Sequence, residues 1–246
     1  MNLLAFDTST ETMSIAVMRT VDGVAQSWQH TGAGGAQAST GLIAAVLDLM
    51  QQAQLSMGQL DAICFGSGPG SFTGLRTACS VAQGFAFGAK VPVLPVDSLL
   101  AVAEEARHCA LEHVAQGEVL AMLDARMDEI YAARYAFDAG QWTELMGSRL
   151  ARPEDLLFAV APQALAGNVF AAYGERLSAA GVAPPEVLCV TALPTANAML
   201  RLAPQLLAQG KAVSAEHALP LYIRDKVAKT TQEREVEKAA AKLVVQ

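Results

Sequence analysis

Chemistry in this chain is most concentrated in Gly66-Ser67-Gly68-Pro69-Gly70-Ser71-Phe72-Thr73-Gly74-Leu75-Arg76. An apolar run, Ala62-Ile63-Cys64-Phe65, precedes it and reads as a buried strand; Thr77 to Ala89 carries no charge and reads as a helix. The joint is therefore a tight loop feeding a helix N-terminus, with glycines for backbone angles other residues resist and Pro69 to stiffen the turn. Free N–H groups at such a start favour an anion such as phosphate, with Gly68, Gly70 and Ser71 as the contacts. The same spacing also suits a strand-to-helix turn that holds nothing, and spacing alone favours that reading. No Lys follows Gly74, so this is not the lysine-bearing phosphate loop. Ser67 and Ser71 lack the flanking glycines of a nucleophile elbow, and no His has a claim to be their base. Cys64 and Cys79 sit in apolar settings that raise a thiol pKa and leave it inert. Of His30, His108, His113 and His217, only one pair is close, and its i, i+5 spacing puts the rings on different sides of a helix. No metal site and no cofactor is expected.

The elements around this loop form a repeating plan. Leu3 to Asp7 is an apolar strand ending on a carboxylate, and Leu120 to Asp124 is another. After Asp7 come a strand from Met13, a turn at Asp22-Gly23 and a strand from Val24 to Trp28; after Asp124 come a strand from Ile130, a turn at Asp138-Ala139-Gly140 and a strand near Trp142. The first half continues with a helix over 37–52, the strand at 62–65, the uncharged helix, a strand over 91–96 and a helix from Ser98 to Leu111. Asp97 caps that last helix, with Glu104 and Glu105 on its wet face. The second half continues with a short helix over 153–160, a strand at 164–167, a helix over 170–180, a strand at 187–190 and a helix over 195–209 containing Pro204. This predicts an α/β chain of two duplicated domains, 1–110 and 111–224, each a mixed sheet flanked by helices. Residues 225–246 form a polar, helix-prone tail. The layout resembles the actin/sugar-kinase/heat-shock-protein superfamily, whose domains are actin-like (ribonuclease H-like).

Gly68-Pro69-Gly70-Ser71-Phe72-Thr73-Gly74-Leu75-Arg76 resembles the signature of the bacterial TsaB (YeaZ) family. So do Phe6-Asp7-Thr8-Ser9-Thr10-Glu11, Asp124-Ala125-Arg126-Met127-Asp128-Glu129-Ile130-Tyr131 and Pro220-Leu221-Tyr222-Ile223-Arg224, in the family's order and over residues 3 to about 227. The resemblance implies a cytoplasmic, non-catalytic scaffold for tRNA threonylcarbamoyladenosine synthesis, partnered by TsaD and assisted by the ATPase TsaE. TsaC supplies the threonylcarbamoyl group, and the target is the adenosine beside the anticodon. The protein alone is expected to pair as a homodimer and to meet tRNA only through the complex.

In active members of the superfamily, strand-end carboxylates flank a metal-nucleotide and glycine-bearing hairpins hold its phosphates. Asp7 and Asp124 stand at those strand ends. The first hairpin here has no glycine, Glu11 adds repulsion, and Asp128 and Glu129 add more at the second. Asp7, Gly68, Gly70, Ser71 and Asp124 are thus candidates for a vestigial nucleotide site, the two aspartates capping turns and bonding Thr8 or Arg126. A kinase or ATPase of this fold is the alternative. A metallopeptidase fits less well, because the HxxxH motif of TsaD is missing. Ala38 stands where many TsaB chains carry a His.

The chain has 246 residues, 52% hydrophobic and 17% charged, enough for a sizeable core. Its net charge is −7; from Arg224 onward there are six Lys/Arg and four Asp/Glu, so the remainder carries −9. Such a body repels a phosphate backbone, which argues against independent RNA binding. The longest uncharged run, Gly23 to Leu47, is broken by glycine and polar residues, so no membrane span is expected. Leu3 to Phe6 is stopped by Asp7 and has no basic flank, unlike a signal peptide. The four cysteines are widely spaced and read as reduced thiols.

A helix without a polar face is buried all round. In the uncharged helix Thr77, Ser80, Gly84 and Gly88 form a small-residue stripe, opposite Ala78, Ala82, Phe85 and Ala86. Either the chain's other domain covers this stripe or a partner helix does. The helix at 37–52, apolar at Leu42, Val46, Leu49 and Met50, adds to the interface reading.

Overall fold

The computed structural model describes residues 1–156, 158 and 161–224. Two five-stranded sheets share one topology. The first contains β1 (Asn2–Asp7), β2 (Thr12–Val21), β3 (Val24–Ala33), β4 (Ala62–Gly68) and β5 (Val93–Asp97), in the order β3-β2-β1-β4-β5. The second contains β6 (Gln116–Arg126), β7 (Glu129–Asp138), β8 (Gln141–Ala151), β9 (Ala164–Gly167) and β10 (Leu188–Thr191), ordered β8-β7-β6-β9-β10. In each, three antiparallel strands are followed by two parallel ones. The helices are α1 (Ala38–Gln52), α2 (Phe72–Ala89), α3 (Ser98–Ala110), α4 (Phe170–Ala179) and α5 (Ala196–Ala208).

Alternation along β1 distributes its residues between two cores, as a period of two requires. Leu4 and Phe6 join Leu42, Val46 and Leu49 of α1 and Ala78 and Ala82 of α2 on the outer face. Leu3 and Ala5 face inward, into one continuous cluster with α3, α5 and Val119, Ala121 and Leu123 of β6. A third cluster packs α4 against the far side of the second sheet. The two halves thus share a layer of helices between their sheets.

The expected elements are present with four differences. β4 runs on to Gly68, and α2 begins at Phe72 rather than Thr77, capped by Ser71 accepting from the Gly74 N–H. Where a helix over 153–160 is predicted, the described residues make a 3-10 turn, Pro153–Asp155, and among the described residues the second half shows no counterpart of α1; residues 157, 159 and 160 lie outside them. The 225–246 tail also lies outside them. Third, α2 is not buried all round. Ser80, Gly84 and Gly88 are exposed, Thr77 half-buried, and Phe87 is 78% exposed.

The fourth difference is Glu104, which is 3% exposed rather than on a wet face. It accepts from Arg107 (2.8 and 3.0 Å), Arg201 Nε of α5 (2.7 Å) and Trp142 Nε1 of β8 (2.9 Å). Burial pushes its carboxyl up, but the hydrogen bonds from Arg107, Trp142 and Arg201 outweigh that and hold it below the usual range. The acid is buried because α3 lies between the two sheets, where a helix exposed on one side was expected.

Candidate functional site

A cleft of about 660 Å³ opens between the halves. Its walls come from the β1–β2 turn (Ser9, Thr10, Glu11), the glycine loop and α2 start (Pro69 to Phe72, Leu75), the β6–β7 hairpin (Asp124 to Met127) and Leu221 to Arg224. Each wall has a local cause. Ser71 N–H donates to Ser9 O at 2.7 Å, and Thr8 Oγ1 donates to Gly74 O at 2.7 Å, so the β1–β2 turn is tied to the start of α2. A Cβ on Gly74 would stand 1.9 Å from the Thr8 carbonyl oxygen; only glycine permits this approach.

Of the five candidate nucleotide-site residues, Gly70, Ser71 and Asp124 line the cleft and Asp7 and Gly68 do not. Asp7 is fully buried. Its Oδ1 accepts from Ser9 N (2.7 Å) and Ser9 Oγ (2.6 Å), and its Oδ2 from Ser98 Oγ (3.0 Å). Ser9, not the expected Thr8, is its partner, and it stands between the carboxyl and the cleft. Burial pushes the Asp7 carboxyl up to about 6, against smaller opposing effects of the Ser9 and Ser98 hydrogen bonds. Gly68, at φ +117°, is packed under the chain's last described segment: a Cβ there would lie 2.7 Å from Leu221 O. Leu221 N–H donates to Ser67 O at 2.7 Å, strapping that segment to β4.

Asp124 is engaged as the sequence suggests, by Arg126. It accepts from Arg126 N (2.8 Å), Arg126 Nη1 (3.1 Å) and Tyr173 OH (3.0 Å). Arg126 also pairs with Glu11 of the first hairpin, so a guanidinium bridges the two turns across the cleft. Arg224 Nη2 donates to Glu129 (2.6 Å) and to Arg126 O (3.4 Å), clamping the strap to the second hairpin. The sequence contains the strap as Pro220-Leu221-Tyr222-Ile223-Arg224 but shows no role for it; these contacts join residues about a hundred positions apart. Among the described residues, no group of three or more His, Cys, Asp or Glu is placed to hold a metal ion.

The interface candidates divide. Thr77, Ser80, Gly84 and Gly88 lie on the open side of α2, and Gly84 and Gly88 have no neighbour within 4 Å of an added Cβ. Leu42, Val46, Leu49 and Met50, in contrast, are at most 3% exposed and form the core face of α1; they are not available to a partner. The i, i+4, i+7 stripe is the face that packs on the sheet. The large exposed apolar residues of α1 are Ile43 and Leu47, each 50% exposed. At the mouth of the cleft, Arg76 lies over the Phe72 ring and donates to Tyr222 OH at 3.2 Å. All four cysteines are free, and burial pushes the Cys64 thiol up to about 12 and raises Cys79.

Two identical sheet topologies around a shared helical layer, with a cleft between hairpins, define a duplicated actin-like, ribonuclease H-like protein. The family model described as TsaD, tRNA N6-adenosine threonylcarbamoyltransferase, matches residues 33–244. The Haemophilus influenzae tRNA threonylcarbamoyladenosine biosynthesis protein TsaB is 33% identical over 242 residues, spanning 92% of this chain and 95% of that one. Its Escherichia coli counterpart is also 33% identical, over 93% and 96% of the two chains. The solved structure of YeaZ from Pseudomonas aeruginosa superposes with a TM-score of 0.76 at 36% identity, covering 90% of this chain and 99% of that one. The chain belongs to the TsaB (YeaZ) family.

Proposed function

We propose that this protein acts in tRNA threonylcarbamoyladenosine biosynthesis as a scaffold without catalysis of its own, docking a TsaD-type transferase subunit through the open face of α2. The carrying observation is the state of the two strand-end carboxylates. Asp7 is buried behind Ser9, and Asp124 is engaged by Arg126 and Tyr173, so both strand-end carboxylates are committed to hydrogen bonds within the protein instead of standing open to a metal-nucleotide in the cleft. The small stripe on α2, with Phe87 exposed on the same helix and Ile43 and Leu47 exposed on α1, supports the docking role, because small side chains let a partner helix approach closely while exposed large ones supply apolar contact.

In this reading the lobes are 1–110 and 111–224, TsaE joins the assembly, and the free protein pairs with itself. The −9 body keeps tRNA binding to the complex in the cytoplasm. No helix among the described residues is long and apolar enough to cross a membrane. Co-elution of purified protein with TsaD on size-exclusion chromatography, together with calorimetric titration of Mg-ATP into the protein alone, tests the proposal. A stable complex and no heat of nucleotide binding are expected. ATP turnover by the protein alone, lost in Asp124→Ala, would overturn it in favour of a kinase or ATPase.

A further inference from the structure

The β6–β7 hairpin is strained and exposed at one residue. Arg126, Met127 and Asp128 follow one another in the left-handed region (φ 63°, 58° and 62°), although none is glycine or asparagine. The turn thrusts Met127 outward, leaving it 69% exposed. Met1 is 46% exposed; Met13, Met50, Met122 and Met199 are at most 3% exposed, and Met18, Met57 and Met146 are partly buried. The Met127 sulfur does not hang free. Arg224 Nη1 donates to it at 3.1 Å, while the same guanidinium binds Arg126 O and Glu129. The donor that faces the sulfur is Nη1; the Nε of the same guanidinium is buried and has no acceptor among the described residues.

We propose that Met127 is a reversible oxidation site whose product tightens the clamp between the β6–β7 hairpin and the strap Leu221 to Arg224. With a peroxide as oxidant, the thioether sulfur attacks one peroxide oxygen, the O–O bond breaks, and water leaves with both protons once hydrogen peroxide is the reagent. The sulfur is oxidised to the sulfoxide and the peroxide is reduced. Exposure sets which methionine reacts. A thioether is a weak acceptor, whereas a sulfoxide oxygen is a strong one. Placed beside the Arg224 Nη1 donor, that oxygen gains a charge-assisted hydrogen bond where the thioether had a weak contact. Arg224 is the last described residue of the strap, so the added bond acts on the wall of the cleft.

The test treats the full chain with graded hydrogen peroxide, measures each methionine by peptide mass spectrometry, and follows amide hydrogen exchange over 219–224. Met127 is expected to oxidise several-fold faster than Met18, Met57 or Met146, and exchange over the strap is expected to slow. Reduction by methionine sulfoxide reductases should restore the original exchange. In Met127→Leu and in Arg224→Leu, which removes the cationic donor, peroxide should leave strap exchange unchanged, although Met127 in the second variant still oxidises. Equal oxidation of a partly buried methionine, exchange that is unchanged or faster in the wild type, or slowing that persists in either variant would overturn the proposal.

Discussion

Ser9 stands directly between Asp7 and the cleft, its Oγ donating to Asp7 Oδ1 at 2.6 Å while its backbone N–H donates to the same oxygen at 2.7 Å. A carboxylate at the end of a first strand is thereby turned from a surface group into a core group. The consequence is measurable in pH. The folded Asp7 carboxyl lies at about 6 and its ordinary value is 3.8. Between these values the folded state holds a proton that the unfolded chain has lost, so stability falls as pH rises through the window and levels above it. The displacement corresponds to about 3 kcal/mol as an upper figure. Asp7→Asn keeps the acceptor toward Ser9 and offers a donor to Ser98. Urea melts should show the variant gaining on wild type between pH 4 and pH 6 and holding that gain at pH 8. A difference that stays constant with pH would show Asp7 to be ordinarily solvated.

Glu104 makes the opposite case, since its neighbours hold its carboxyl below the usual range. Its contribution is present at neutral pH and is lost as pH falls through the folded value. Glu104→Ala leaves Arg107 and Arg201 without their shared buried partner, so a loss of about 3 kcal/mol is expected. Because α3 and α5 lie in one core with both sheets, the wild-type protein should melt in a single calorimetric transition and the variant in a single, lower one. Two separated transitions in the wild type would mean that 1–110 and 111–224 are independent domains.

Gly74 and Gly84 lie on the same helix and predict opposite outcomes. An added Cβ at Gly74 meets Thr8 O, and Gly74→Ala should cost about 1–3 kcal/mol. At Gly84 nothing lies within 4 Å, so Gly84→Arg should fold as well as wild type and gain up to ~1 kcal/mol from helix propensity. The same arginine puts an unpaired charge at the proposed helix–helix contact, and self-pairing and TsaD binding should both disappear from the column. A Gly84→Arg protein that melts normally and still pairs would move the interface off this stripe.

The β6–β7 turn predicts a gain. Asp128, at φ 62°, sits where a hairpin of this kind prefers glycine. Asp128→Gly should raise stability by about 1 kcal/mol. The Arg176–Asp128 contact that it removes is exposed at Asp128 and contributes little. Chemical denaturation with an unchanged m-value checks this; a lower midpoint would show that the pair outweighs the strain.

The sequence by itself determined the strands, their order and the duplication. The continuous apolar run of Leu3 to Phe6 ending on Asp7, the alternation in Met13 to Val17, the Asp22-Gly23 turn, and their echoes after Asp124 are local patterns, and local patterns carry element type and direction. It also located the glycine loop and the capping of α3 by Asp97. The tertiary structure decided what each polar or small residue faces. Periodicity revealed the apolar stripe of α1 but not that it faces the sheet, and so Leu42 and Val46 were expected on a surface when Ile43 and Leu47 hold it. Gly74 and Gly84 look alike in the chain, and only the Thr8 carbonyl tells them apart. Glu104 reads as a solvated acid until Arg201, 97 positions away, arrives beside it. Arg126 meets Glu11 across 115 positions. These pairings depend on elements distant in the chain being packed side by side, and a distance in space between two side chains leaves no trace in the residues next to either of them.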